Sequence, residues 1–178
     1  MKMKLVLLAI ITCVVASLSD YLVSASSKLT LSIMGKSNCS DWMSVLRLVY
    51  ITELPPCPCT YSQAINDDKF ILSNFLIDYY HNGAANCFRA PSQTSLSESG
   101  QQCCYGDDGN ILIGIEQNGG TADAYSPDGV KNFGRHIWYD VLPWVACCEL
   151  GNRETCEIYY QFRPSDDCLE YRGPVYTN

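Results

Sequence analysis

Eleven cysteines in 178 residues constrain this chain more than any other feature. Cys13 stands apart. It lies in the apolar run Leu5 to Ala16, which follows the basic start Lys2 and Lys4 and precedes Ser17-Leu18-Ser19. A basic start, an apolar run and small residues form a secretory signal, so residues 1–19 are read as a signal peptide cut after Ser19. The run is shorter than the roughly 20 apolar residues that cross a bilayer. Removing it leaves Cys39, Cys57, Cys59, Cys87, Cys103, Cys104, Cys147, Cys148, Cys156 and Cys168. An even set in an exported chain predicts complete pairing. Roughly 10³ connectivities stay open at this level. Closing a disulfide across one peptide bond is strained, so each doublet should send its two sulfurs to different partners. On a strand, Cys103 and Cys104 would point to opposite faces. Zinc is disfavoured, because the close pairs are Cys57-Pro58-Cys59 and two doublets, with no Cys-x2-Cys spacing.

Charge narrows the partners. Loss of the signal leaves ten bases against nineteen acids, a net charge of −9. That sign excludes a nucleic-acid binder, which needs cations against phosphate, and a polybasic membrane-surface protein. Apolar residues make up 47% of the chain, enough for a core. No later stretch is long and apolar enough to span a bilayer, and the mature chain is expected to be secreted.

Three regions are expected: the signal peptide 1–19, a Ser-rich leader 20–37 with a brief strand at Leu29, Leu31 and Ile33, and one domain over 38–176. Ser40 should cap a short helix from Asp41 carrying Trp42, Leu46 and Val49. Pro55-Pro56-Cys57-Pro58 enforces an extended path. A helix is read near 62–69, a turn at Asn82-Gly83, a Ser-rich loop over 91–100 and a second long loop over 118–132. Gln102 to Tyr105 and Ile111 to Ile113, joined through Asp107-Asp108-Gly109-Asn110, read as a β-hairpin. A buried segment runs from His136 to Ala146, interrupted by Pro143. A helix is expected over 154–162, stopped at Arg163-Pro164. Ser165-Asp166-Asp167 should cap a last helical turn with Cys168 and Tyr171. The fold class is α+β: a small disulfide-rich single domain with a short antiparallel hairpin sheet, a few short helices and long loops.

Few residues point to chemistry. His136 and Asp140 are four apart and share a helical face, and Asp123 could complete an acid–base set. The better reading is a histidine held by a carboxylate in a cystine-rich core, since no nucleophile motif accompanies it. Asp107, Asp108 and Asn110 could offer oxygens to calcium, but the EF-hand spacing is missing and a turn needs these residues anyway. No cofactor or metal is expected. Asn38-Cys39-Ser40 is a glycosylation acceptor. Trp138 and Trp144 are assigned to the core, and Arg163 to a nearby acid.

Several segments together resemble one family. They are Cys57-Pro58-Cys59-Thr60; His81-Asn82-Gly83-Ala84 with Cys87 and Arg89; Gly100-Gln101-Gln102-Cys103-Cys104-Tyr105; and Gly120-Thr121-Ala122-Asp123. His136 with Asp140-Val141-Leu142-Pro143-Trp144, Cys147-Cys148, Cys156, Tyr160, Arg163-Pro164-Ser165 and Cys168-Leu169-Glu170-Tyr171 follow in order. Over residues 38–175 the chain resembles the AMOP domain, the adhesion-associated domain of membrane mucins, isthmins and sushi-domain proteins. Asn82 stands where the family usually has proline, and Phe70 to Tyr80 lacks an expected cysteine pair. The resemblance implies a non-catalytic extracellular module for cell adhesion or receptor and matrix contact, with an extracellular protein or glycan partner. A secreted cystine-rich effector, such as an inhibitor or toxin, is the alternative. A hydrolase using His136 is a remote one.

Overall fold

The computed structural model describes residues 39–46, 54–91 and 98–174. The expected signal peptide, the leader with its strand, and Asn38 lie outside them. The described residues form a four-stranded antiparallel sheet and a helical layer. The strands are β1 (Ile71–Leu72), β2 (Asn86–Ala90), β3 (Gly100–Tyr105) and β4 (Ala122–Asp123), in spatial order β1-β2-β3-β4. The helices are α1 (Cys39–Leu46), α2 (Tyr61–Ala64), α3 (Ile77–Tyr80), α4 (Gly129–His136), α5 (Leu142–Trp144) and α6 (Arg153–Phe162). A 3₁₀ turn spans Ile115–Gln117. The α+β class holds.

β3 is the keel. All six of its residues are buried, as a central strand covered on both faces requires. Its alternation separates two chemistries. Cys103 and Tyr105 join Cys57, Ala64, Phe70, Phe88 and Ala90 in an apolar cluster under α2 and the Pro-rich segment. Cys104 turns the other way and clusters with Cys87 and Ala84. Cys103 bonds Cys57, whereas Cys104 bonds Cys87, its direct neighbour across the β2–β3 ladder. The period of two therefore sends adjacent sulfurs to different layers. In the second doublet Cys147 bonds Cys39 and Cys148 bonds Cys156. The fifth bridge, Cys59–Cys168, ties the C-terminal segment to the Pro-rich one.

The expected hairpin forms, but it is short. The reversal over 107–110 forms, and Leu112 N–H donates to the Cys104 carbonyl at 2.8 Å. Only one bridge follows, Tyr105 to Ile111, and the real ladder of β3 runs along β2 over five pairs. Phe88 and Ala90 present a continuous apolar face to Cys103, which a single returning strand could not match. Other boundaries shift too. α1 begins at Cys39, so Ser40 lies inside its first turn. The expected helix over 62–69 stops after one turn at Ala64. The second loop contains β4 and the start of α4. Asp166 and Asp167 do accept backbone N–H groups, from Cys168 and Leu169, but they cap a β-turn rather than a helix.

Pro143 does not interrupt its segment. The chain stays helical from Gly129 to Glu149 because α5 is flanked by two widened π-helical turns, Ile137–Val141 and Val145–Glu149. Proline has no N–H for the carbonyl four residues back and clashes with it. The wider turn eases that clash. The Tyr139 carbonyl, left without that donor, accepts from Arg163 Nη2 at 3.1 Å instead. Helix α6 carries Arg163 at its end. It starts from a capping box in which Asn152 and Thr155 satisfy each other's backbone N–H groups. Trp42 is only 1% exposed and packs edge-on to Trp138 at 5.1 Å. Trp138 and Trp144 are half-buried, so the deep tryptophan is Trp42.

Candidate functional site

The sequence-selected acid–base residues meet on the sheet face that looks toward the helices. Asp140 is 2% exposed and Arg163 fully enclosed. Asp140 Oδ1 accepts from Arg163 Nε at 2.7 Å and from the Ala124 N–H at 2.8 Å. Its Oδ2 accepts from the Tyr125 N–H at 3.1 Å and lies 3.3 Å from His136 Nδ1. His136 Nδ1 is also 3.0 Å from the Tyr125 carbonyl, so its N–H is shared between the two oxygens. The Tyr159 hydroxyl donates to the Asp140 carbonyl at 3.3 Å. Asp123, on β4, forms an ion pair with Arg89 of β2. The four-residue spacing of His136 and Asp140 was legible in sequence. Arg89 and Tyr159 were not, because a strand and a distant helix supply them.

Burial alone would raise the Asp140 carboxyl. The hydrogen bond and charge of His136, the Arg163 guanidinium and the Ala124 N–H overcome that, and its pKa is held below the usual range. Burial draws Arg89 down to about 10, which leaves it charged at neutral pH. Ligand atoms of Asp123, His136 and Asp140 lie within 4.8 Å of one another. Each carboxylate already has a guanidinium, so a metal ion there would meet two resident cations. His81, Cys87 and Cys104 also lie close, but the two sulfurs are bonded to each other and cannot act as thiolates. The calcium candidates are engaged as well. Asp108 accepts from the Asn110 backbone N–H at 3.0 Å and from its side-chain amide at 2.8 Å. The arrangement orients and neutralises groups. It joins sheet, α4–α5 run and α6 through one carboxylate.

His81 is a second buried polar node. Its Nδ1 donates to the Asn118 carbonyl at 3.0 Å, and Nε2 lies 3.1 Å from the Gln102 side-chain oxygen. Both contacts suit an imidazolium. A half-turn of the Gln102 amide suits the neutral ring instead. Burial lowers the His81 pKa, and nearby Arg89 adds to this against the hydrogen bonds that the Asn118 and Gln102 oxygens accept from the ring. The unfolded chain therefore binds a proton here before the folded one does. Stability from this group is whole above about pH 6.5 and declines as pH falls below it, by at most about 1.4 kcal/mol per pH unit. Asp140 has the opposite shift to an ordinary buried carboxyl, and its contribution is lost only in stronger acid, below about pH 4. Asp166, raised by burial, acts against that late loss. Denaturant titration of the oxidised protein at pH 7.5, 6 and 5 should show the first decline, and His81→Gln should flatten it. Equal slopes in the two proteins would remove His81 as the cause.

The outer surface carries the other candidate. Ile71, Leu72 and Phe75 are 60%, 56% and 75% exposed along the edge of the sheet. They sit on a fixed strap. Ser73 N–H donates to the Cys87 carbonyl at 2.8 Å, and Asn74 accepts from the Cys87 N–H at 2.8 Å while donating to Asn86 at 3.0 Å. Phe70 anchors one end in the core. Leu76 follows in the left-handed region at φ 55°, unfavourable for a leucine, and turns the chain into α3. At its far end Tyr79 and Tyr80 stack edge-on to Trp144, at 5.6 and 5.0 Å. Sequence reading marked this stretch only by its missing cysteines. The adjacent Ile71-Leu72 and nearby Phe75 were the available signal.

Among the described residues, no helix is long and apolar enough to cross a membrane. No solved structure matches the chain. Among curated proteins, Sushi domain-containing protein 2 of Homo sapiens is 32% identical over 161 residues, covering 78% of this chain and 19% of its own length. Protein mesh of Bombyx mori is 28% identical over 161 residues, covering 78% of this chain and 10% of its own length. The chain thus spans a fifth or less of these relatives. The AMOP domain model matches residues 34–172, which include all five bridges, the Asp140–Arg163 pair and the strap. By that match over most of its length, the chain belongs to the AMOP domain family.

Proposed function

We propose that this protein is a secreted, non-catalytic extracellular module that binds another extracellular protein through the strap at Ile71, Leu72 and Phe75. Five disulfides support an oxidising compartment, and the N-terminal charge and hydropathy pattern supports export as the route to it. The single observation that carries the reading is Phe75, 75% exposed on a turn whose neighbours are hydrogen-bonded in place. An aromatic held in advance loses little entropy on docking and makes an efficient anchor. Ile71 and Leu72 beside it are aliphatic, which fits an apolar protein surface better than a glycan. His136 supports a structural role, since Nδ1 faces the Tyr125 carbonyl and the Asp140 carboxylate.

The test is adhesion of cells to a surface coated with the oxidised protein, with Phe75→Asp beside Leu150→Asp. Leu150 is also exposed and lies in a different part of the fold. Phe75→Asp should weaken binding at least about tenfold, as loss of a central anchor does, while Leu150→Asp leaves it unchanged. Equal binding by Phe75→Asp and the parent protein would reject the strap. No saturable binding by the parent protein would reject the module.

A further inference from the structure

Two Asn-Gly pairs occur in the chain, Asn82-Gly83 and Asn118-Gly119. Glycine has no side chain to shield its nitrogen, so such pairs are open to attack of that nitrogen on the preceding side-chain amide. The fold treats the two very differently. Asn82 is exposed at the tip of a turn closed by the Ala84 N–H and the His81 carbonyl at 2.9 Å. Gly83 sits at φ +98°, with open space where a Cβ would stand. Among the described residues, neither the Gly83 N–H nor the Asn82 side chain has a hydrogen-bond partner. At the other pair, the Gly119 N–H donates to the Gly114 carbonyl at 2.9 Å. The Asn118 amide donates to the Asn82 carbonyl at 3.1 Å. A Cβ on Gly119 would lie 2.4 Å from the Leu112 carbonyl oxygen, so the backbone there is walled in.

We infer that Asn82-Gly83 is a site of spontaneous covalent modification in the folded protein, converting Asn82 to isoaspartate and aspartate, while Asn118-Gly119 is protected. The Gly83 nitrogen loses its proton and bonds to Cγ of Asn82. The Cγ–Nδ2 bond breaks, and Nδ2 leaves as ammonia with that proton. Water then adds to one carbonyl of the five-membered imide and one C–N bond opens. Opening at the backbone carbonyl gives isoaspartate, and opening at the side-chain carbonyl gives aspartate. The net change is amide plus water to carboxylic acid plus ammonia.

The isoaspartyl product routes the main chain through Cβ and Cγ. That lengthens the His81–Ala84 turn by one methylene and turns the Asn82 carbonyl that holds Asn118 into a free carboxylate. Asn118 in turn holds His81, so the change acts on the His81 node.

The experiment ages the oxidised full chain in warm, mildly alkaline buffer and maps position 82 and position 118 by peptide mass spectrometry with isomer separation. The reduced, unfolded chain is aged in parallel. In the folded protein, isoaspartate and aspartate should accumulate at 82 at least about tenfold faster than at 118, whose N–H must first break its bond by local opening. In the unfolded chain both positions should react at similar rates. Asn82→Gln, exposed and tolerated, should remove the signal. Amide hydrogen exchange at His81 and Asn118 should rise in aged protein and stay at parent level in Asn82→Gln. Similar rates at both positions in the folded chain, or an intact Asn82 there while the unfolded chain reacts, would overturn the assignment.

Discussion

Arg163→Met should remove about 3–5 kcal/mol of stability, a large share of the roughly 5–15 kcal/mol that a domain holds in reserve. The substitution keeps the apolar stem and deletes three donated bonds at once: Nε to Asp140, Nη2 to the Tyr139 carbonyl and Nη1 to the Phe162 carbonyl. The Asp140 carboxylate would stay buried, with the guanidinium 2.7 Å away gone. The Tyr139 carbonyl would lose the donor that stands in for the missing N–H of Pro143. Lysine should not rescue it, because one ammonium cannot reproduce the planar fork that serves carboxylate and carbonyl together. Arg163→Met with Asp140→Leu should not recover the loss either. The Ala124 and Tyr125 N–H groups would then be buried without an acceptor. Denaturant unfolding of the oxidised proteins measures this. A loss below about 1 kcal/mol would show that the pair is worth no more than a surface salt bridge.

Joint replacement of Cys39 and Cys147 by alanine should cost about 2–5 kcal/mol. Their bridge closes 108 residues, but the Cys57–Cys103 and Cys59–Cys168 bridges already shorten the free chain between them. The saving in loop entropy is therefore below the single-loop value of about 4.7 kcal/mol for 100 residues. The loss should be local first. Cys39 and Cys147 share a cluster with Leu46 and Tyr159, and α1 is held there by this bridge and by the packing of Trp42 on Trp138. Hydrogen exchange should quicken across α1 before the β2–β3 ladder responds, and Trp42 fluorescence should move toward that of a solvated indole. Uniform exchange across α1 and the sheet would mean that the bridge acts on the whole domain instead.

The second cysteine doublet shows why spacing was informative and connectivity was not. Two adjacent residues cannot easily bond each other, and this much follows from covalent geometry. Which partner each takes is decided by packing: Cys147 bonds a residue 108 positions away and Cys148 one only 8 away. The same division runs through the buried charge cluster. A spacing of four placed His136 beside Asp140 on one helical face, and the contact is there at 3.3 Å. Arg163 was assigned to an acid, and Asp140 is that acid. The β-hairpin forms where Asp-Gly, a strong local turn signal, predicts it, but it stays short because the main ladder of β3 belongs to the larger apolar face on β2. In sequence Pro143 predicts an interruption, because nothing there marks a widened turn or the arginine that donates to the Tyr139 carbonyl.

Local chemistry, then, was enough to establish a cystine-rich, acidic α+β domain and to place a histidine, an aspartate and an arginine together, while an ordered set of motifs carried the resemblance to the AMOP family. The order of the strands, the pairing of ten sulfurs, and the exposure of Ile71, Leu72 and Phe75 on an anchored edge came only with the tertiary structure. Periodicity and spacing act over a few bonds and are written in neighbours. Burial, register and partner choice depend on which distant surfaces exclude water together, and no short window of sequence contains both sides of that contact.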